Sequence, residues 1–322
     1  MPSSLNNNPT PTHNKNIMYD IVGLLKQLTK PINYTVALVL FMNTLLVIIL
    51  PLLVGGQANW MGWCISIATL IISLMVVTMK WFNKLLFTIL RAKGKCQLAN
   101  KSDYHERITP IFADAVQRAR AVTPVIRQDI ELYVIENEIP IVKSCGSNII
   151  YATTAAIDSL TDDELGAFLA RECGHIGNRD FELMTLIVVS NVPNVLTILY
   201  WKVTDMLLSF FQKVLSGGDT DSALAGLACF LIRVALFCLF LPFFLWLLFI
   251  YAINLYSLRQ KELTADAFSV CLGYAEAMES GLEKLFDHDT SLIDRILSPI
   301  PSLSKRIENI HNIVNSTPAA TN

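Results

Sequence analysis

The chain has 322 residues, of which 53% are hydrophobic and 16% are charged, whereas an ordinary soluble domain has about 25% charged residues. This balance is typical of a membrane protein, and a net charge of −2 without a basic tract argues against nucleic-acid binding. The seven cysteines include no C-x-x-C pair, which argues against both a disulfide framework and a cysteine zinc site.

The N-terminal part of the chain combines a polar tail with long apolar runs. Residues 1–16 are rich in Asn, Pro, Ser and Thr, which predicts disorder. An amphipathic stretch at 17–28 leads into apolar runs at 34–54 and 61–81. At about 1.5 Å per residue, each run can cross a hydrocarbon core of about 30 Å, so we predict two transmembrane helices. The alternative for the first run is a signal peptide cleaved after Ala58, which the length of the run disfavours.

Residues 82–182 are polar and mixed, which is typical of a globular region. The pattern between residues 103 and 120 predicts an amphipathic helix. The runs at 131–137 and 148–154 predict short strands, and C-G-S-N predicts a turn before the second of them.

A helix predicted for residues 159–180 carries most of the chemistry. Thr161 is its expected N-cap, and Glu164 completes a capping box. Further along, the sequence R-E-C-G-H matches the zinc-protease pattern H-E-x-x-H, except that Arg171 replaces the first histidine. In the full pattern the two histidines share one helix face and bind zinc, while the glutamate acts as general base. Arginine cannot act as a ligand, because its guanidinium stays protonated and offers no lone pair.

Two further apolar runs precede a polar tail. The runs at 183–201 and 235–256 predict a third and a fourth span, with a buried soluble helix or a re-entrant hairpin as the alternative for the third. Basic residues precede the first span and follow the second and the fourth. The positive-inside rule therefore places both termini and residues 82–182 in the cytoplasm.

The polar tail offers partners for the R-E-C-G-H motif. Glu262 and Asp266 are four residues apart on another predicted helix, so one carboxylate could ligate a metal while the other orients a ligand. The alternative is an ordinary solvated helix face. The sequence also leaves open a replacement ligand from His105 or His288.

Together, these motifs make the chain similar to the HtpX-type membrane zinc metalloproteases, in the superfamily that includes the CAAX prenyl proteases. The resemblance extends from about residue 30 to residue 315. In the tail, S-P-I-P-S-L-S-K-R-I matches a family pattern through Arg306, while Ile300 stands where the family has histidine. The family patterns A-H-E-x-x-H-x-x-N-x-D and E-x-x-A-D are matched at Ala170, Glu172, His175, Asn178 and Asp180, and at Glu262, Ala265 and Asp266.

The resemblance implies a mainly α fold, with four transmembrane helices and a cytoplasmic gluzincin-like α+β metalloprotease domain that has a small edge sheet. It implies a multi-pass inner-membrane protein whose partners are membrane lipid and membrane-protein or unfolded-protein substrates, without nucleotide or nucleic acid. The predicted organisation is a tail at 1–16, an amphipathic lead-in with two spans at 17–81, a protease-like region at 82–182, two spans within 183–256, and a cytoplasmic helical part at 257–322.

The resemblance also implies roles for individual residues. Zinc would be bound by His175 and Glu262, with Glu172 as catalytic base and Arg306 near the substrate. The supporting residues around the ligands would be Asp266, Asn178 and Asp180.

Departures from the family at Arg171 and Ile300 leave three interpretations of function. The first is a degenerate protease, in which Arg171 pairs with Glu262 and Asp266 and the protein binds its clients without cutting them. The second is an active zinc metalloendopeptidase with an altered site, working in membrane-protein quality control. The third is a non-protease scaffold or transporter subunit, for which Arg233 and a few Asn residues are the intramembrane polar groups, although Arg233 is more simply interpreted as an interfacial anchor. We adopt the first as our hypothesis.

Overall fold

A mainly helical fold surrounds one small sheet. The computed structural model describes residues 22–43, 71, 88, 96–123, 126, 129–215, 222–286 and 298–316. The predicted tail, the cleavage point at Ala58, His288 and most of the first two predicted spans lie outside the described residues. Those calls therefore stay predictions.

The sheet has four strands, which are β1 (Cys96–Leu98), β2 (Glu131–Ile135), β3 (Val142–Cys145) and β4 (Ile149–Thr153). Their order across the sheet is β1-β2-β4-β3. β2 and β4 are parallel, while the outer strands β1 and β3 are antiparallel to their neighbours. β2 and β4 confirm the two predicted strands. β1 and β3 were not predicted, because runs of three and four residues are too short to display an alternating pattern.

The helices follow the predicted order with three differences, the first of which is that the third predicted span, 183–201, is divided at Asn191 between two helices. The predicted helix at 159–180 ends earlier, at Gly177, because Arg179 has a left-handed φ of 56° that interrupts helical geometry. The fourth predicted span and the helix of Glu262 and Asp266 form one continuous helix. The helices are α1 (His105–Val122), α2 (Thr154–Ser159), α3 (Asp162–Gly177), α4 (Asp180–Ser190), α5 (Val192–Leu215), α6 (Ser222–Cys271), α7 (Ala275–Leu285) and α8 (Leu303–Ser316).

Helix α3 passes through the centre of the globular core, packed against α1, α6 and α7. Its capping box is present as predicted, since Thr161 accepts from the Glu164 N–H and Glu164 accepts from the Thr161 N–H. Gly174 allows α6 to approach closely, because a Cβ there would lie 2.9 Å from the Phe268 ring. This close approach brings the acidic residues of α6 beside the C-terminal half of α3.

A second region is built from α4, α5, the N-terminal part of α6 and the helical segment 34–43. A smaller apolar cluster joins this segment to α4 and α6. Arg233 of α6 is paired with Asp205 of α5 at 3.1 Å. Within the described part of the chain, no helix combines the length and the apolar character needed to cross a membrane. The four spans and their orientation remain predictions.

Candidate active site

The C-terminal half of α3 faces β3 and α6 across a cavity of about 670 Å³. Arg171, Glu172, His175 and Glu262 all line it, so the fold brings together residues that are far apart in the chain. The remaining walls are mainly apolar. They include Ile141, Val142, Tyr151, Phe181, Met184, Leu258, Phe286, Pro299 and Ile300.

Arg171 is the centre of a buried ion cluster. Its Nη2 donates to Glu262 Oε2, its Nη1 to Glu172 Oε1, and its Nε to Asp266 Oδ1 at 3.1 Å. The predicted contacts with Glu262 and Asp266 are confirmed. Each guanidinium nitrogen bonds a different carboxylate, so Glu172 is a third partner that was not predicted. Burial alone lowers the pKa of Arg171, but the three carboxylates outweigh it and raise that pKa above its ordinary value.

Glu172, the glutamate of the motif, has both carboxylate oxygens engaged. One oxygen accepts from Arg171. The other accepts from the Ser144 backbone N–H at 2.7 Å and from the Ser144 hydroxyl at 2.8 Å. Glu172 is only 1% exposed, so its carboxylate is stabilised by these protein donors instead of by solvent. Sequence reasoning missed Ser144, since it belongs to no motif and lies on a strand too short to recognise.

His175 is oriented by Asp180. Its Nδ1 hydrogen-bonds to Asp180 Oδ2 at 2.8 Å, while its Nε2 lies 3.8 Å from Glu262 Oε1. Asp180 also lies 3.3 Å from the buried amine of Lys261, a residue that the motif analysis overlooked. Burial lowers the pKa of His175, but the bond to Asp180 and the neighbouring carboxylates raise it above the usual value overall.

Asp266 binds two arginines at once. It is fully buried and accepts from Arg306 Nε at 2.7 Å and Nη2 at 2.6 Å, in addition to Arg171. The guanidinium of Arg306 stacks on the Phe286 ring at 4.8 Å. Arg306 is 0% exposed and is not part of the described cavity wall, so the structure places it behind Asp266. Its role near a substrate stays a prediction.

Other predicted candidates lie apart from this cluster or at its margin. Asn178 is the C-cap of α3. His105 is exposed on α1 and contacts Thr109, so the structure gives no support to its use as a replacement ligand. The Cys173 thiol, behind the ion cluster on α3, is buried, and burial raises its pKa to about 12.

The comparison with known protein families covers this site. Residues 145–314, from the end of β3 to α8, match the profile of Peptidase family M48, more than half of the chain. The chain belongs to peptidase family M48. The predicted HtpX-type assignment is thereby confirmed.

Individual relatives of this M48 protein are distant. The Protease HtpX homolog of Neisseria meningitidis serogroup C is 27% identical over 183 residues, which are 53% of this chain and 60% of that protein. Protease HtpX of Tolumonas auensis is 28% identical over 145 residues, which are 45% of this chain and 46% of that protein. The M48 chain thus spans well under two thirds of the length of these relatives. The crystal structure of S. mikatae Ste24p aligns with a TM-score of 0.37 and 14% identity, over 84% of this chain and 66% of that one.

The resemblance implies zinc, and the donor set can be compared with that expectation. A catalytic zinc site has three protein ligands and one open position. His175 and Glu262 stand at two positions that the resemblance assigns to ligands, but the third holds a cationic side chain that donates to Glu262 itself. Among the described residues, no group of three or more His, Cys, Asp or Glu side chains is arranged to hold a metal. The residues at this site therefore do not fit a zinc centre.

Proposed function

We propose that this M48 protein has lost peptide hydrolysis and keeps its former active site as a closed ion cluster beside a polypeptide-binding cavity. The observation that supports this is the position of Arg171, whose three nitrogens each bond a different acid. A permanently protonated guanidinium has no lone pair to offer a metal ion, so Arg171 cannot serve as the ligand that the family motif has at this position.

Charge balance explains why the arginine is retained. Glu172, Glu262 and Asp266 would repel one another in a buried space, and a shared guanidinium offsets that repulsion. A buried charge is tolerated when it is paired and is costly when it is not. The guanidinium of Arg171 therefore supplies the positive charge that these three acids would otherwise need from another cation.

The glutamate of the motif is also withdrawn from catalysis. A general base must have a free lone pair within reach of the proton that it takes. About three of the four lone pairs of the Glu172 carboxylate accept bonds, one from Arg171 and two from Ser144. Its chemistry in this arrangement is that of an ion-pair partner.

We extend the proposal to a membrane location, with both termini and the protease-like region in the cytoplasm and with membrane-protein or unfolded-protein clients. Large exposed apolar side chains along α5 and α6 support this, because extended apolar surfaces mark contacts with lipid or with other proteins. They include Val203, Met206, Phe210, Phe211, Phe230, Leu231, Phe237, Leu245, Leu248 and Phe249.

Zinc content and casein cleavage test the loss of hydrolysis. The unaltered protein should carry no stoichiometric zinc and show no cleavage that depends on Glu172. Arg171→His should gain zinc, because His175 and Glu262 remain in place, and should recover cleavage less readily because Ile300 is retained. Stoichiometric zinc in the unaltered protein, or cleavage that Glu172→Gln abolishes, would contradict the proposal.

A further inference from the structure

β3 is an edge strand with one row of backbone groups turned away from the sheet. The Thr153 N–H donates to the Ile141 carbonyl at 2.9 Å, so Ile141 faces β4. Hydrogen-bonding direction alternates along an antiparallel strand, which turns Val142 and Ser144 outward. An outward row of this kind is the surface to which an extended polypeptide adds as a further strand.

The protein's own Glu172 already occupies this edge. The Ser144 N–H, which points outward, donates to Glu172 Oε2 at 2.7 Å, and the Ser144 hydroxyl donates to the same oxygen. These two bonds join α3 directly to β3. A carboxylate acceptor makes a stronger hydrogen bond than a peptide carbonyl does, so an incoming strand competes at a disadvantage.

We propose that Ser144 and Glu172 form a clasp that holds the β3 edge closed to an extended polypeptide segment. This inference rests on the proposed function, because a glutamate required as a base could not be committed to the clasp. Glu172 controls access to the β3 edge indirectly, through its bonds to Ser144.

The cavity beside the clasp indicates what the occupant is. An extended polypeptide paired with β3 would pass directly along walls that include Val142, Phe181, Met184 and Ile300. Its alternate side chains would meet this mainly apolar surface, as in other cases of strand addition. The expected occupant is therefore an extended segment with β-branched or other apolar side chains.

Peptide affinity tests the clasp in the whole purified chain. The probe is a fluorescein-labelled, Lys-flanked peptide of alternating Val and Thr, followed by fluorescence anisotropy. Glu172→Ala should bind it at least about tenfold more tightly than the unaltered protein, because a charge-assisted bond no longer competes. Ser144→Ala keeps the N–H but loses the hydroxyl donor, so it should gain about threefold. Equal affinities, or no binding by any of these proteins, would overturn the proposal.

Two controls separate the clasp from general loosening. Glu164→Gln also changes a buried, ion-paired glutamate of α3, but at the other end of the helix and outside the cavity wall, so it should leave the peptide affinity unchanged. Glu172→Gln keeps the side-chain volume but offers a single neutral acceptor oxygen, so its peptide affinity should lie between those of the unaltered protein and Glu172→Ala.

Amide hydrogen exchange gives an independent readout in the same proteins. The Ser144 amide should be protected in the unaltered chain and exchange at least about tenfold faster in Glu172→Ala. Fast exchange at Ser144 in the unaltered chain would overturn the clasp and leave the loss of hydrolysis untouched. Zinc-dependent cleavage by the unaltered chain would overturn the loss of hydrolysis and the clasp with it, because Glu172 would then be needed as a base.

Discussion

The two ends of α3 each bury a glutamate, and they satisfy it in different ways. At the N-terminus, Glu164 is held by the backbone of Thr161, by the Ser280 hydroxyl at 2.6 Å and by Lys284 at 2.7 Å. At the C-terminal end, Glu172 is one of three acids that share Arg171. Glu164 has its own set of donors, whereas Glu172 shares the Arg171 cation with Glu262 and Asp266.

This difference shows how one helix can carry both an ordinary stabilising device and a former active site. Glu164 lies in the first turn, where the helix dipole favours a negative charge, and Lys284 reaches it from a half-exposed position. Glu172 lies near the other end, where the dipole gives no such help. Arg171 is the cation that all three acids at this end share.

The largest expected effect comes from removing that cation. Arg171→Ala should lower the free energy of unfolding by about 3–5 kcal/mol, because it removes the cation paired with Glu172 and Glu262 and one of the two cations paired with Asp266. Urea unfolding measures this. Arg171→Lys is the matched control and should recover only part of the loss, since one amine cannot serve three carboxylates in the place of a planar fork. A loss below about 1 kcal/mol on Arg171→Ala would show that the acids do not depend on it.

A somewhat smaller effect is expected at the N-terminal end. Burial raises the pKa of Glu164, but Lys284, Ser280 and Thr161 lower it overall, from 4.5 to about 2. Because the folded-state pKa is depressed, this stabilisation is fully present above pH 4.5 and is lost as the pH falls towards about 2. The shift corresponds to about 3 kcal/mol at neutral pH.

Glu164→Gln provides the measurement. Its unfolding free energy should fall below that of the unaltered protein at pH 7, and the two should converge as the pH is lowered through this window. A difference between the two proteins that does not change with pH would show that Glu164 acts through packing and not through its charge.

The smallest expected effect concerns the close approach that builds the site. Gly174→Ala places a Cβ 2.9 Å from the Phe268 ring, so α6 must shift, at a cost of about 1–3 kcal/mol. Gly226→Ala, on α6 with nothing within 4 Å of the added Cβ, is the control and should be neutral or slightly stabilising. If both substitutions gave the same unfolding free energy, the packing of α3 on α6 would not be tight at Gly174.

The sequence predicted much of the site and less of the fold around it. The capping box and the four-residue spacing of the acids of α6 were available from the sequence pattern, and the pairing of Arg171 with two of those acids was expected from the family resemblance. The end of α3 at Gly177 was missed, although Gly177 and Asn178 are residues that often mark a helix C-terminus. β3 was missed because of its length, and Ser144 was missed with it.

The sequence by itself determined what is local. Helix caps and the four-residue spacing of Glu262 and Asp266 follow from the periodicity of a helix, and the chemistry of Arg171 follows from its side chain. The tertiary structure alone decided which acid each nitrogen of Arg171 bonds and which oxygen of Glu172 is given to β3. These partners lie up to 95 positions apart in the chain, and packing of α3 against β3 and α6 is what brings them within bonding distance.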